Sequence, residues 1–150
     1  MTVVIVLVTG DRKWSDFGAI RDFLESQQAT LVVHGGATGA DELASLAAQA
    51  LGIECRVHEA DWKRFGRKAG PIRNKDMFNI EKPHIVGAFH DRLPESRGTL
   101  DMVKYAKSKK TANIFHIAHE TPVEEGGDPL DTALIVKMIF DKEPKQRSLF

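Results

Sequence analysis

The stretch His34-Gly35-Gly36-Ala37-Thr38-Gly39-Ala40-Asp41 lies between a short apolar run and a segment of helical apolar spacing. Glycines there let the backbone turn sharply and come close to a ligand. Free N–H groups at the start of the following helix, reinforced by its dipole, suit an anion such as phosphate. The stretch has no Lys-Ser/Thr pair and no Gly-x-Gly-x-x-Gly spacing, which disfavours an ATPase loop and an ordinary dinucleotide loop. A tight strand–helix turn, with Asp41 complementing the dipole, is the competing structural reading. His34 borders the loop and can either touch ligand or make a structural hydrogen bond.

Three further junctions carry similar chemistry. In Thr9-Gly10-Asp11-Arg12-Lys13-Trp14, Gly10 opens space and Arg12 offers a fork for phosphate. Trp14 there is either a stacking face or a hydrophobic staple at a helix entry. Asp61-Trp62 leads into Ala69-Gly70-Pro71-x-Arg73-Asn74, a basic segment with one aromatic that runs into a helix. A cation such as Arg73 opposes the positive end of a helix dipole, and such a local conflict is expected at a functional site. The neighbouring Lys63, Arg64, Arg67 and Lys68 read equally well as a solvated lid. Finally, Ser96-Arg97-Gly98-Thr99-Leu100-Asp101 is another glycine-bearing junction, where Thr99 can cap a helix or bind phosphate through its hydroxyl.

These loops need strands and helices to hold them. Thr2–Thr9, Thr30–His34, His84–Phe89 and Thr111–Ala118 are apolar runs suited to strands, and Glu54–His58 is a weaker fifth. Helical spacing lies between them: Phe17, Ile20, Phe23 and Leu24; then Leu43, Leu46, Ala47, Ala50 and Leu51, stopped by Gly52. A third helix starts at Pro71, and a fourth carries Leu100, Val103 and Ala106. Alternating strands and helices predict a three-layer α/β/α Rossmann-like fold with a mostly parallel five-stranded sheet of order 3-2-1-4-5. Ligands of such sheets bind at the carboxyl ends of the strands, near the reversal of strand order. The unusual loops fall there.

The chain divides by composition into a domain over residues 1–118 and an extension over 119–150. The first part carries 17 Lys/Arg against 14 Asp/Glu and the second 4 against 7. Leu130, Leu134, Ile135, Met138 and Ile139 predict a helix in the extension, followed by a flexible tail. The whole chain balances 21 basic against 21 acidic residues, so no global field argues for wrapping duplex DNA. Six basic residues and no acidic one fall within Trp62–Lys75. No apolar run approaches the roughly 20 residues that span a bilayer. The single Cys55 excludes an internal disulfide framework and suits the cytoplasm. The scattered histidines predict no metal site, and no cofactor is expected.

Taken together, Gly10-x-Arg12-x-Trp14, His34-Gly35-Gly36-Ala37-x-Gly39-Ala40-Asp41, Asp61-Trp62, Gly70-Pro71-x-Arg73-Asn74 and Gly98-Thr99 resemble the SMF/DprA–LOG (SLOG) superfamily, in its YspA/YpsA-related branch. The resemblance covers about residues 3–118. It implies a Rossmann-like domain that binds nucleotides or nucleotide-derived ligands; some relatives cleave the N-glycosidic bond of nucleoside monophosphates, and others bind nucleic acid or sense ligands. The catalytic LOG pattern, Pro-Gly-Gly-x-Gly-Thr-x-x-Glu, is not matched in full. If the chain is a hydrolase, Asp41 and Asp101 are the carboxylate candidates and Arg73 the residue that orients phosphate. The loop chemistry then leads us to expect phosphate on Gly35–Ala40, clamped by Arg12 and Arg73, with Asn74 and Thr99 on ribose or phosphate oxygens and Trp62 as a lid or stacking face.

The last five residues, Gln146-Arg147-Ser148-Leu149-Phe150, resemble the bacterial sliding-clamp-binding peptide. Leu149 and Phe150 would fill a pocket and Gln146 would bond at its rim. The partners to weigh are therefore a nucleotide-like small molecule, a sliding clamp and single-stranded nucleic acid. No membrane is expected, and a homo-oligomer stays open.

Overall fold

The computed structural model describes residues 2–119 and 134–138. Six strands form one sheet: β1 (Ile5–Gly10), β2 (Leu31–His34), β3 (Glu54–Val57), β4 (Ile85–Phe89), β5 (Asn113–His119) and β6 (Leu134–Met138). Their order is β3-β2-β1-β4-β5-β6. The first five are parallel, as the sequence predicts, and chain order reverses between β1 and β4. Val6, Leu7 and Val8 of β1 and all of β4 are buried, which is why these segments read as unbroken apolar runs.

Helices cover both faces. On one, α1 (Phe17–Ser26) and α2 (Ala40–Leu51) pack through Ile20, Phe23, Leu24, Ala44 and Ala47. Gly87 in β4 admits the Phe23 ring, since a Cβ there would stand 2.7 Å from it. On the other face, α4 (Ala69–Glu81) and α5 (Gly98–Lys109) bury Met77, Phe78, Met102, Val103 and Ala106. Each fully buried aliphatic side chain contributes about 1.5–3 kcal/mol. The short α3 (Trp62–Phe65) and a 3-10 turn (Gly66–Lys68) precede α4, which begins at Ala69, two residues ahead of the predicted Pro71. Asp16 caps α1 by accepting from the Ala19 N–H, and Gly52 ends α2 in the left-handed conformation at φ 72°.

The predicted C-terminal helix is corrected at its centre. Leu134–Met138 is a strand running antiparallel to β5, with Phe115 opposite Met138 and His119 opposite Leu134. Leu-Ile-Val fits either periodicity over so short a window. The open edge of β5 settles it, because a sixth strand satisfies backbone groups that a helix would leave unpaired there. Leu130, Ile139 and the tail residues Gln146, Leu149 and Phe150 lie outside the described residues. Among those described, no helix is long and apolar enough to cross a membrane.

Candidate functional site

A cleft of about 1030 Å³ opens at the carboxyl ends of the strands, where the order reverses. Its walls are the β1–α1 loop, the start of α2, the α3–α4 segment, the loop after β4 and the first turns of α5. Glycine packing fixes the first two walls to each other. A Cβ on Gly10 would stand 2.5 Å from Phe89 O and 2.7 Å from the Ala40 Cβ. Gly39, at φ 73°, leaves no room for a Cβ against the backbone of Asp11 and Arg12. Asp11 completes the join: its carbonyl accepts from the Ala40 and Trp14 N–H groups, and its Oδ1 from the Lys13 N–H.

Inside this frame three amides of the glycine loop are already bonded by its own side chains. Asp41 Oδ2 accepts from the Gly35 and Ala37 N–H groups, both at 3.1 Å. His34 Nδ1 accepts from the Gly36 N–H at 3.0 Å, so its proton sits on Nε2 and is donated to Ser45 Oγ at 2.6 Å. Burial, with the charges of Arg73 and His58, holds the His34 pKa down to about 4, and the ring is neutral. Of the two roles the sequence left open for His34, the structure shows the structural hydrogen bond. Burial also pushes the Asp41 carboxyl up to about 6, against the opposing pull of the Ala37 and Gly35 N–H groups and of Arg73 and Arg12.

Arg73 is seated by the same loop. Its Nη1 donates to Gly35 O at 2.6 Å and to His58 O at 3.1 Å, and its Nε to Asn74 Oδ1 at 3.1 Å. Nη2 has no partner among the described residues. Burial lowers the Arg73 pKa while Asp41 raises it. Asn74, itself buried, donates through Nδ2 to Asp101 Oδ2 at 2.9 Å and to Gly98 O at 3.4 Å, tying α4 to the start of α5. Thr99 is 4% exposed, and its backbone N–H donates to Ser96 Oγ at 3.0 Å. Its hydroxyl has no partner among the described residues. A Cβ on Gly98 would meet nothing within 4 Å, so this end of α5 is open space.

The cleft therefore gathers Gly10, Arg12, Ala37 and Asp41 from one side and Arg73, Asn74, Gly98, Thr99 and Asp101 from the other. Trp62 stands at its rim, 52% exposed and 3.4 Å from where a Gly70 Cβ would be. His34, Gly35, Gly36, Gly39 and Ala40 build the frame without lining it. Trp14 corrects the stacking expectation. It is 5% exposed, stacked on His119 at 4.7 Å, with its Nε1–H donated to Asp16 O. Sequence reasoning passed over His90, Arg97 and Lys104, which also line the cleft. Arg97 was findable, since it sits at the N-cap of α5 without a side-chain capping bond, where a cation opposes the dipole.

Comparison with known proteins gives a family match over part of the chain and a likeness of fold. Residues 4–65 match the model of the YspA, cpYpsA-related SLOG family (YAcAr). Gene 61 protein of Mycobacterium phage D29 is 38% identical over 82 residues, an alignment covering 48% of this chain and 66% of the relative, just under two thirds of its length. Among solved structures, phosphoribosylglycinamide formyltransferase from Brucella melitensis superposes with a TM-score of 0.50 at 16% identity, over 95% of this chain and 76% of that one. That likeness is one of fold.

Proposed function

We propose that this chain, a protein of YspA, cpYpsA-related SLOG type over residues 4–65, binds a nucleotide or nucleotide-derived ligand by a phosphate in the strand-end cleft. One observation carries the reading: Arg73, whose Nη2 has no partner among the described residues, and Thr99, whose buried hydroxyl has none among them either, line the same cavity at the open start of α5. A guanidinium nitrogen with both its N–H groups to spare and a hydroxyl at a helix N-terminus are suited to phosphate oxygens. The glycine loop serves this arrangement indirectly. With its Gly35, Gly36 and Ala37 amides on Asp41 and His34, it holds Arg73 through the Gly35 carbonyl. Trp62 at the rim supplies a face for a base. Isothermal titration with AMP tests the reading: binding to the native chain that Arg73→Lys weakens about tenfold or more supports it. Equal affinity in both removes Arg73 from the site.

A second reading, hydrolysis of the nucleotide's N-glycosidic bond, is favoured by the Asp41 pKa of about 6 in a cleft that also holds Asp101. Water would add at the anomeric carbon while the base leaves carrying a proton. Asp41→Asn and Asp101→Asn should then each abolish release of free base; release that persists in both variants excludes these residues. Single-stranded nucleic acid is a third occupant to test. Salt-insensitive or absent oligonucleotide binding argues against it. For the terminal Gln146–Phe150 segment, Leu149→Ala with Phe150→Ala should abolish capture on a sliding clamp, and retained capture ends that proposal.

A further inference from the structure

The chain is electrically balanced, with 21 basic and 21 acidic residues, yet its cleft is not. Arg12, Lys13, Arg67, Arg73, Arg97 and Lys104 all line it. None of them is paired with a carboxylate among the described residues. The lining holds three carboxylates, Asp11, Asp41 and Asp101, against these six cations, so the cleft is net basic. Arg73 sits inside, and the other five cations are exposed around it. Arg97 moreover occupies the N-cap of α5, where its charge disfavours the helix. A single phosphate held by Arg73 and Thr99 would leave the five outer cations in excess of the lining's carboxylates.

We infer that the cleft takes a ligand with two linked phosphoryl groups, such as a nucleoside diphosphate moiety, the first at Arg73 and Thr99 and the second at the outer ring that includes Arg97 and Lys104. The inference rests on the phosphate-binding reading above and narrows its ligand class. The cavity has room for such a ligand, being slightly larger than the range of small-molecule sites, about 300 to 1,000 Å³. Exposed cations act through screened fields, so the second group's contribution falls as salt rises.

The test is calorimetric titration of the full chain with AMP, ADP and inorganic pyrophosphate at one fixed ionic strength. ADP should bind about tenfold or more tightly than AMP. The double variant R97A/K104A should reduce that ratio to less than about threefold, while K107A, on the same helix but outside the cleft, should leave it intact. Both substituted positions are exposed, and an unchanged melting temperature checks that the variants fold. Equal affinities for AMP and ADP overturn the second phosphoryl site and leave the phosphate reading standing. Binding of none of the three overturns both. Pyrophosphate binding as tight as ADP supports two phosphoryl groups and contradicts the contribution of a base. A short oligodeoxynucleotide that outcompetes ADP overturns the assignment to a small molecule.

Discussion

At the scale of single residues, Asp41 decides how the glycine loop is used. Its carboxylate already occupies the Gly35 and Ala37 amides that sequence reading assigned to phosphate. A buried acid with a raised pKa keeps its proton in the native state where the unfolded chain releases it. Its stabilising contribution is therefore complete below pH 3.8 and is lost as pH rises through about 6. His34 runs the other way: its pKa is depressed, so its contribution is complete above pH 6.5 and is lost as pH falls through about 4. The two slopes oppose one another in the wild type. Asp41→Asn keeps an acceptor for both amides and removes one slope. Relative to wild type, it should gain on the order of 2–4 kcal/mol between pH 4 and 6.5, measured by urea unfolding. A difference that stays flat with pH would show that Asp41 is ionised throughout. Glycines give a second contrast. Gly39→Ala must displace the Arg12 backbone at a positive φ and should cost about 2 kcal/mol or more in the same measurement. Gly98→Ala meets open space and should change stability by less than about 1 kcal/mol, yet weaken AMP binding by intruding where the ligand lies.

Among the elements, the parallel strands and their helices were legible because each is an apolar run or stripe bounded by a recognisable stop. Gly52 after α2 acts as read. Leu134–Met138 was not legible, because its partner, the open edge of β5, is a property of the assembled sheet. The candidate site was legible by junction but not by role. Spacing placed Gly35–Asp41 between strand and helix, but nothing local to it shows that His34 and Asp41 fold back onto its amides. Trp14 likewise reads as either a stacking face or a staple, and what decides is His119, about a hundred residues later, which stacks on it. His119 also joins three elements, pairing with Asp16 at 2.7 Å and Asp91 at 3.2 Å. Burial works against its charge, but Asp16 and Asp91 outweigh that and raise its pKa. The pairing therefore stabilises fully below pH 6.5 and fades as pH rises through the raised value. The melting-temperature advantage of wild type over His119→Gln should shrink between pH 6 and pH 8; an advantage independent of pH would assign the contact to packing alone.

Over the whole molecule, charge is sorted rather than accumulated. Balanced totals hide a cleft whose lining carries six cationic side chains against three carboxylates. Such a cleft attracts an anion while the molecule as a whole has no field to collect polyanions indiscriminately. Ligand affinity should fall steeply from low salt to about 0.5 M, where the Debye length shrinks to roughly 4 Å, whereas unfolding stability should change little. Affinity insensitive to salt would mean that the exposed cations take no part.

The central claim is that the strand-end cleft holds a phosphate-bearing nucleotide. Thermal unfolding of the native chain across nucleoside mono-, di- and triphosphates tests it most directly. At about 100 times Kd a bound ligand adds roughly 2.7 kcal/mol, a shift of several degrees for a chain of this size. The account expects such a shift with at least one nucleotide, and its loss in Arg73→Lys. A flat response across the panel, from a chain that unfolds cooperatively, would contradict it.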